Sequence, residues 1–141
     1  MVPTRFSSAR TLVLLAIAVF AGCSSSPIHR LAPRTIGPYS GSVETRGLVF
    51  VAGQVGRERS SFAAEVNAAI DGVASRLADA GLSLREVVST TVYLTDMASF
   101  AAMNEVYAAR FSAPYPARTT VGVAALPGGA SIEIAAIAAR L

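Results

Sequence analysis

The stretch PARTTVGVAALPGGASIEIAAI, residues 116–137, decides the fold because it carries two strand patterns separated by a turn. Residues 118–125 are rich in threonine, valine and small apolar residues, which is typical of a β-strand. A second apolar run covers residues 131–139, and the Pro-Gly-Gly sequence at 127–129 predicts the loop between the two strands. The stretch therefore predicts two strands, the first beginning with an arginine and the second containing a glutamate.

Two helices are predicted upstream of this stretch. Apolar residues recur at helical spacing over about 62–80, with Ser60 or Ser61 as the N-cap and Gly81 as the residue that ends the helix. A second helical pattern covers about 99–111. Helices of this length are long enough to cover one face of a sheet.

Three further strand patterns complete the domain, and Gly53 is expected to end the second of them. They lie at residues 42–45, 48–52 and 86–94. The resulting order predicts an α+β fold with a mostly antiparallel sheet and two helices on one face.

The opposite face of the sheet is also expected to be apolar. Its apolar residues are Val121, Val123, Ile132, Ile134 and Ile137. Because the chain supplies no further layer to cover them, we expect other subunits to do so.

Charge and composition exclude several functions. All twelve basic residues are arginines, and two of them, Arg5 and Arg10, lie in the N-terminal leader. The other ten are scattered among nine acids without a basic run, so no nucleic-acid partner is expected. One cysteine and one histidine cannot form a Cys/His metal cluster, so no metal is expected.

Residues 1–22 are predicted to be an export signal. Two arginines precede the apolar run 12–21, which at ten residues is too short to span a bilayer. The sequence Phe-Ala-Gly-Cys at 20–23 resembles a bacterial lipobox, which predicts lipidation of Cys23. The alternative is that Cys23 is only an apolar residue at the end of an ordinary signal.

The predicted organisation has three parts: the signal peptide 1–22, a tether 23–34 and a single domain 35–141. The whole stretch 24–36 shows no periodicity, which is why the tether is placed there. The predicted location is the cell envelope or periplasm, with a lipid anchor holding the domain at the membrane.

Two side chains could carry chemistry. A carboxylate such as Glu133 inside an apolar strand is costly to bury unless it is paired, although it could also be an edge-strand acid that discourages aggregation. The guanidinium of Arg118 could grip a carboxylate with two hydrogen bonds, although most arginines are solvated surface residues. Tyr39 could line a pocket or simply pack in a turn, and Asn104 could be an ordinary solvent-facing amide.

Several motifs together resemble the RidA/YjgF family, and the resemblance covers residues 35–141. They are Ile36-Gly37-Pro38-Tyr39-Ser40, Ala52-Gly53-Gln54, Asn104-Glu105-Val106-Tyr107, Pro116-Ala117-Arg118-Thr119-Thr120-Val121, Leu126-Pro127 and Ile132-Glu133-Ile134. The resemblance implies a chorismate-mutase-like α+β fold and a homotrimer with a cleft between each pair of subunits.

The resemblance also implies an activity: hydrolysis of reactive 2-imino acids, such as 2-iminopropanoate and 2-iminobutanoate, to 2-keto acids and ammonia. The implied substrate also hydrolyses spontaneously, so no organic cofactor is expected either. In that family, the arginine matching Arg118 binds the substrate carboxylate, and the glutamate matching Glu133 positions or activates water. By the same resemblance Tyr39 shapes the pocket and Asn104 supports it. The backbone near Ala52, Gly53 and Thr120 is expected to border the cleft, again by resemblance.

The sequence departs from the family pattern at a few positions. The segment 55–61 is shorter than the corresponding segment usually is in the family. Thr120 stands where many members have a cysteine, and Ala135 stands where many have an acid. Two other functions therefore stay open. One is a non-catalytic envelope lipoprotein trimer that binds a small carboxylate, and the other is a tethered structural or chaperone-like trimer.

Overall fold

The computed structural model describes residues 27–31 and 35–140, which form one six-stranded sheet and two helices. The helices are α1, Phe62–Ala78, and α2, Phe100–Arg110. The strands are β1, His29–Leu31; β2, Ser42–Thr45; β3, Leu48–Val55; β4, Val87–Leu94; β5, Ala117–Gly122; and β6, Ile132–Ala139. The predicted α+β class is confirmed.

The strand order is β1-β2-β3-β6-β4-β5, and only the β4–β5 pair is parallel. The last strand of the chain thus lies in the middle of the sheet, between β3 and β4. β5 lies at one edge, and it runs parallel to β4 because α2 connects the two strands as a crossover. The sequence stretch that decides the fold therefore supplies both a central strand and an edge strand.

Helix α1 follows the predicted pattern closely. The Ser61 hydroxyl accepts a hydrogen bond of 3.1 Å from the amide of Ala64 and so caps its first turn. Gly81 adopts a φ of +70°, a left-handed conformation that favours glycine and ends the helical segment. The apolar face of the helix, Val66, Ala69, Ile70, Val73 and Leu77, is fully buried against β3 and β6.

Both helices cover the same face of the sheet, as predicted. α1 packs on β3 and β6, and α2 packs beside α1. The hydroxyl of Tyr107 in α2 lies 2.8 Å from the Thr90 hydroxyl of β4, which places α2 over that strand. The other face of the sheet has no covering layer among the described residues, and it leaves Phe50 and Val121 about two-fifths exposed.

Three details differ from the sequence predictions. Gly53 does not end its strand, because the strand passes through a register shift between Val51 and Gln54 that accommodates the glycine. Residues 29–31, expected in the tether, instead pair with β2, since backbone hydrogen bonds form without any side-chain periodicity. Ile132 and Ile134 face the helices rather than the uncovered side, because successive residues of a strand alternate between faces.

The predicted signal peptide and the lipidation of Cys23 lie outside the described residues. Within those residues, neither helix is long and apolar enough to cross a bilayer. They also contain no group of three or more His, Cys, Asp or Glu side chains that could hold a metal ion.

Candidate functional site

Arg118 lines one cleft, at the edge of the sheet. The cleft has a volume of about 350 Å³ and is lined by Asn104, Tyr107, Ala108, Tyr115, Pro116 and Arg118. Arg118 pairs in register with Thr90, so its side chain projects from the helix-covered face towards α2.

The Arg118 guanidinium is held from two sides. One nitrogen, Nη2, donates a 2.6 Å hydrogen bond to Oδ1 of Asn104. The Cζ atom lies 4.7 Å from the ring centroid of Tyr107 and 5.7 Å from that of Phe100, both within cation–π range. These contacts fix the orientation of the guanidinium plane.

The charge of Arg118 is not neutralised by an ion pair within the described part of the chain. An oriented, partly exposed guanidinium with free N–H groups matches the geometry of a carboxylate, which it can bind through two parallel hydrogen bonds. The Arg118 cleft can therefore bind a small carboxylic acid.

Tyr107 is itself held in place by contacts with Phe111 and β4. Its ring stacks on Phe111 at a centroid distance of 4.2 Å, and its hydroxyl is hydrogen-bonded to buried Thr90. Burial raises the pKa of Tyr107, against smaller lowering effects of the Thr90 hydrogen bond and the Arg118 charge. The tyrosine therefore stays neutral at physiological pH, and its ring can stack against a cation.

Glu133 lies in a second cleft of about 460 Å³. The residues that line it are Thr35, Ile36, Tyr39, Gly41, Ala52, Gly53, Gln54, Val55, Arg57, Arg76, Pro127 and Glu133. Because Glu133 lies between buried Ile132 and Ile134 on β6, its side chain projects from the uncovered face. β6 is central, so the alternative that Glu133 is an edge-strand acid is wrong.

Gly53 makes room for the Glu133 carboxylate. A Cβ atom at position 53 would overlap Oε1 of Glu133, so the carboxylate lies directly on the glycine backbone. The side-chain amide of Gln54 donates to the carbonyls of Ala52 (2.8 Å) and Gly53 (3.2 Å), which holds this irregular part of β3 in place. The absence of a side chain at Gly53 thus leaves the space in which the carboxylate lies.

One wall of the Glu133 cleft is fixed by an arginine from the loop before α1. Arg59 donates hydrogen bonds to the carbonyls of Gly129 (2.7 Å) and Gly128 (3.0 Å), next to the cleft residue Pro127. Glu65, which is buried, accepts a 2.7 Å hydrogen bond from the Ser131 amide and lies 3.8 Å from Arg59. These contacts tie the turn before β6 to the start of α1.

The predicted site residues therefore fall into two groups. Tyr39, Ala52, Gly53 and Glu133 line one cleft, whereas Asn104 and Arg118 line the other. Thr120 follows Arg118 on β5 but lines neither cleft. Within one protomer the arginine and the glutamate project from opposite faces of the sheet, with β4 between their strands.

The sequence predictions omitted several residues that the structure places at these clefts. The ring of Tyr107 was assigned only to a helix motif, and Phe100 was only one position of the predicted second helix. Arg57 and Arg59 were treated as part of a shortened loop. Their helical or loop positions carry no pattern that distinguishes a cleft residue, because the contacts that matter join distant segments.

Comparisons with known proteins agree with this fold. Residues 29–140 match the family model described as Endoribonuclease L-PSP. The 2-iminobutanoate/2-iminopropanoate deaminase of Mus musculus is 40% identical over 116 residues, which is 77% of this chain and 86% of that protein.

Solved structures show the same architecture. RidA from an Antarctic Psychrobacter superposes with a TM-score of 0.72 at 39% identity, covering 76% of this chain and 92% of that one. The yeast protein YEO7 gives a TM-score of 0.77 at 32% identity, covering 82% of this chain and all of that one.

Fold, clefts and relatives together define the class of the protein as a small deaminase-like hydrolase. More particularly, the chain belongs to the Endoribonuclease L-PSP family, which is the RidA/YjgF family that its motifs resemble.

Proposed function

We propose that the protein hydrolyses short 2-imino acids, of the 2-iminobutanoate and 2-iminopropanoate type, to 2-keto acids and ammonia. Relatives from mouse and human, each 40% identical to this chain, carry the name of that activity. The observation that carries the proposal is the presence of a carboxylate-binding arginine and a carboxylate, each in an open cleft and each without an ionic partner in the described part of the chain.

The complete site is proposed to form between subunits of a homotrimer. In a short 2-imino acid the carboxylate is bonded directly to the imine carbon, so the arginine and the glutamate must lie within a few ångströms of the same ligand. Within one protomer the backbones of β5 and β6 are two strand spacings apart, about 9.5 Å, and their side chains point away from each other. Arg118 of one protomer facing Glu133 of a neighbour satisfies the requirement.

The uncovered face of the sheet supports assembly. It carries Leu48, Phe50 and Val121, each more than a third exposed, and Ile137 lies opposite Phe50 in the register. An apolar face of this kind is normally covered by another layer, and a second and third copy of the sheet would provide it. The same contact would bring the edge strand β5 against a neighbouring protomer.

The proposed reaction needs little from the protein beyond positioning. Arg118 would bind the substrate carboxylate and hold the C=N carbon near Glu133. Glu133 would accept a proton from a water molecule while the water oxygen forms a bond to that carbon. The proton would then pass from Glu133 to the imine nitrogen. The hydroxyl proton of this adduct would then pass to nitrogen as the C–N bond breaks, which releases ammonia and leaves the 2-keto acid. Each tenfold gain in rate requires about 1.4 kcal/mol.

The test uses 2-iminobutanoate generated in situ by a threonine dehydratase, with formation of 2-oxobutanoate as the readout. We expect wild type to accelerate the reaction, and Arg118→Ala and Glu133→Gln each to reduce the enzymatic rate by about 100-fold or more. Arg85→Ala is a matched control, because Arg85 is exposed and lies outside both clefts.

Binding of 2-oxobutanoate without any acceleration would instead support the alternative, a non-catalytic module that binds a small carboxylate. The free carboxylate of Glu133 argues against that alternative, because a second negative charge would weaken binding of an anion.

We also propose that the domain is exported and lipid-anchored through Cys23. The proposal rests on the positively charged start, the apolar run and the lipobox-like sequence at 20–23. It predicts that the full chain fractionates with membranes and that Cys23→Ser releases it. A membrane association that survives this substitution would contradict lipidation.

A further inference from the structure

The Glu133 cleft is larger than a four-carbon substrate requires, and it continues into a second space above α1. That second space has a volume of about 500 Å³. Six residues line both spaces: Thr35, Ile36, Gln54, Val55, Arg57 and Arg76. Together the two spaces form one groove, which we call the arginine groove, running from the Glu133 carboxylate to the middle of α1.

The groove has an uneven charge distribution. Glu133 is the only acid among the described residues that line it, whereas Arg57 and Arg76 both line its shared part. Arg76 is partly neutralised by Asp79, whose carboxylate lies 3.3 Å away. Arg57 is exposed and takes part in none of the ion pairs of the described residues. The groove thus has a catalytic carboxylate at one end and an uncompensated cation beyond it.

The position of Arg57 follows from the local sequence. β3 ends at Val55, and the chain then needs only six residues to reach α1 at Phe62. Gly56 lies against the backbone and side chain of Glu65, where a Cβ atom would not fit, so the short connection is held close to α1. This close approach holds the following residue, Arg57, beside the cleft. The connection that is short in this chain therefore adds a charge to the groove.

We propose that the arginine groove binds a second carboxylate, so that the preferred substrates are 2-imino dicarboxylic acids. The inference rests on the proposed function and extends it: Arg118 of the neighbouring subunit holds the carboxylate next to the imine, and Arg57 holds the one at the far end of the side chain. Water adds across the C=N bond, ammonia leaves, and the product is a 2-keto dicarboxylic acid. No other reactant is consumed.

The test compares two imines, 2-iminoglutarate and 2-iminobutanoate, each generated in situ by an amino-acid oxidase. The ratio of kcat/KM for 2-iminoglutarate to kcat/KM for 2-iminobutanoate is expected to exceed one in wild type. In Arg57→Gln it is expected to fall by about tenfold, since one charge-assisted contact is lost. Arg85→Gln, an exposed arginine outside the groove, is the matched control and is expected to leave the ratio unchanged.

A ratio below one in wild type would overturn the inference, and so would an equal loss of kcat/KM on both imines in Arg57→Gln. Neither outcome would contradict the proposed deaminase function. Binding of the stable products separates the two proposals. 2-Oxoglutarate should bind wild type about tenfold more tightly than Arg57→Gln, whereas 2-oxobutanoate should not distinguish them. If neither imine is turned over, an Arg57-dependent affinity for 2-oxoglutarate would still support the groove, and its absence would overturn it.

Discussion

At the scale of single residues, neighbouring residues position two charged side chains of the clefts, Arg118 and Glu133. Asn104 accepts a hydrogen bond from Arg118, and Tyr107 presents its ring to the same guanidinium. Gly53 contributes by the absence of a side chain, because the Glu133 carboxylate occupies the space of its missing Cβ. Changes at Gly53 and at Tyr107 have specific expected effects.

Gly53→Ala is expected to displace the Glu133 carboxylate without unfolding the domain. The added methyl would meet the flexible end of a side chain, which can move away. Imine hydrolysis should then fall on the order of 100-fold, whereas the melting temperature should change little. Steady-state kinetics and calorimetry measure the two effects.

The control for this change is Gly122→Ala, which adds the same methyl to β5 where it would meet only the flexible, half-exposed side chain of Met97. It should preserve activity. Full activity in Gly53→Ala would show that the position of the Glu133 carboxylate is unimportant.

Tyr107→Phe is expected to lower the free energy of unfolding by about 1–3 kcal/mol, because it leaves the buried Thr90 hydroxyl without its partner. Urea denaturation at neutral pH measures the loss. A double change, Thr90→Val with Tyr107→Phe, should recover part of the stability because it removes both polar groups.

The same tyrosine predicts a pH dependence. Since burial raises the pKa of Tyr107, the unfolded chain releases the phenolic proton more readily than the folded protein does. Its contribution to stability is fully present below about pH 10, the usual tyrosine pKa, and is lost as the pH rises through the raised folded value. The stability difference between wild type and Tyr107→Phe should therefore narrow in strongly alkaline solution. A difference independent of pH would contradict this assignment.

At the scale of elements, the turn before β6 is tied to the loop before α1 and to the beginning of α1. Arg59 bonds to the carbonyls of the turn at Pro127–Gly129, and Glu65 bonds to the amide of Ser131. These contacts join segments about seventy residues apart in the chain. They hold the turn whose proline lines the Glu133 cleft.

Arg59→Ala is expected to loosen this turn. The change removes two hydrogen bonds and the only ionic neighbour of buried Glu65 among the described residues. The expected loss is about 1 kcal/mol, since the Arg59 side chain is half exposed and solvent screens its charge. Hydrogen exchange at the Ser131 amide should speed up in the variant. If the Ser131 amide exchanged no faster in Arg59→Ala than in the control Arg85→Ala, Arg59 would not be what holds this turn.

At the scale of the whole molecule, the proposed site is divided into two halves that lie apart within one protomer. The Arg118 half lies on the helix-covered side of an edge strand, and the Glu133 half lies on the uncovered side of a central strand. This separation gives a direct test of the assembly, because the two halves can be inactivated in different protomers.

Co-expression of Arg118→Ala and Glu133→Gln protomers is expected to restore activity that neither variant has alone. In randomly mixed assemblies, roughly a quarter of the interfaces would combine an intact arginine with an intact glutamate. Differently tagged protomers allow mixed assemblies to be isolated and assayed for imine hydrolysis. Mixed assemblies as inactive as either parent would contradict a site shared between subunits.

Much of the fold could be predicted from the sequence because it depends on local patterns. The 3.6-residue spacing of apolar positions predicted α1, with Ser61 as its cap and Gly81 at its end, and the valine- and threonine-rich runs predicted β4 and β5. Strand β1 was not predicted, because three residues are too few to show a period. The motifs around Arg118 and Glu133 were sufficient to indicate the family.

Only the tertiary structure decided which residues face each other. Strand order places β6 in the centre and β5 at the edge, and the pairing register directs Arg118 and Glu133 to opposite faces of the sheet, which spacing along the chain cannot reveal. It also decided that Gly53 makes room for a carboxylate and that Arg57 lines the same cleft. The sequence by itself determined the elements and the types of chemical group, because helices and strands follow from local periodicity. Their juxtaposition follows from long-range pairing, so it required the folded chain.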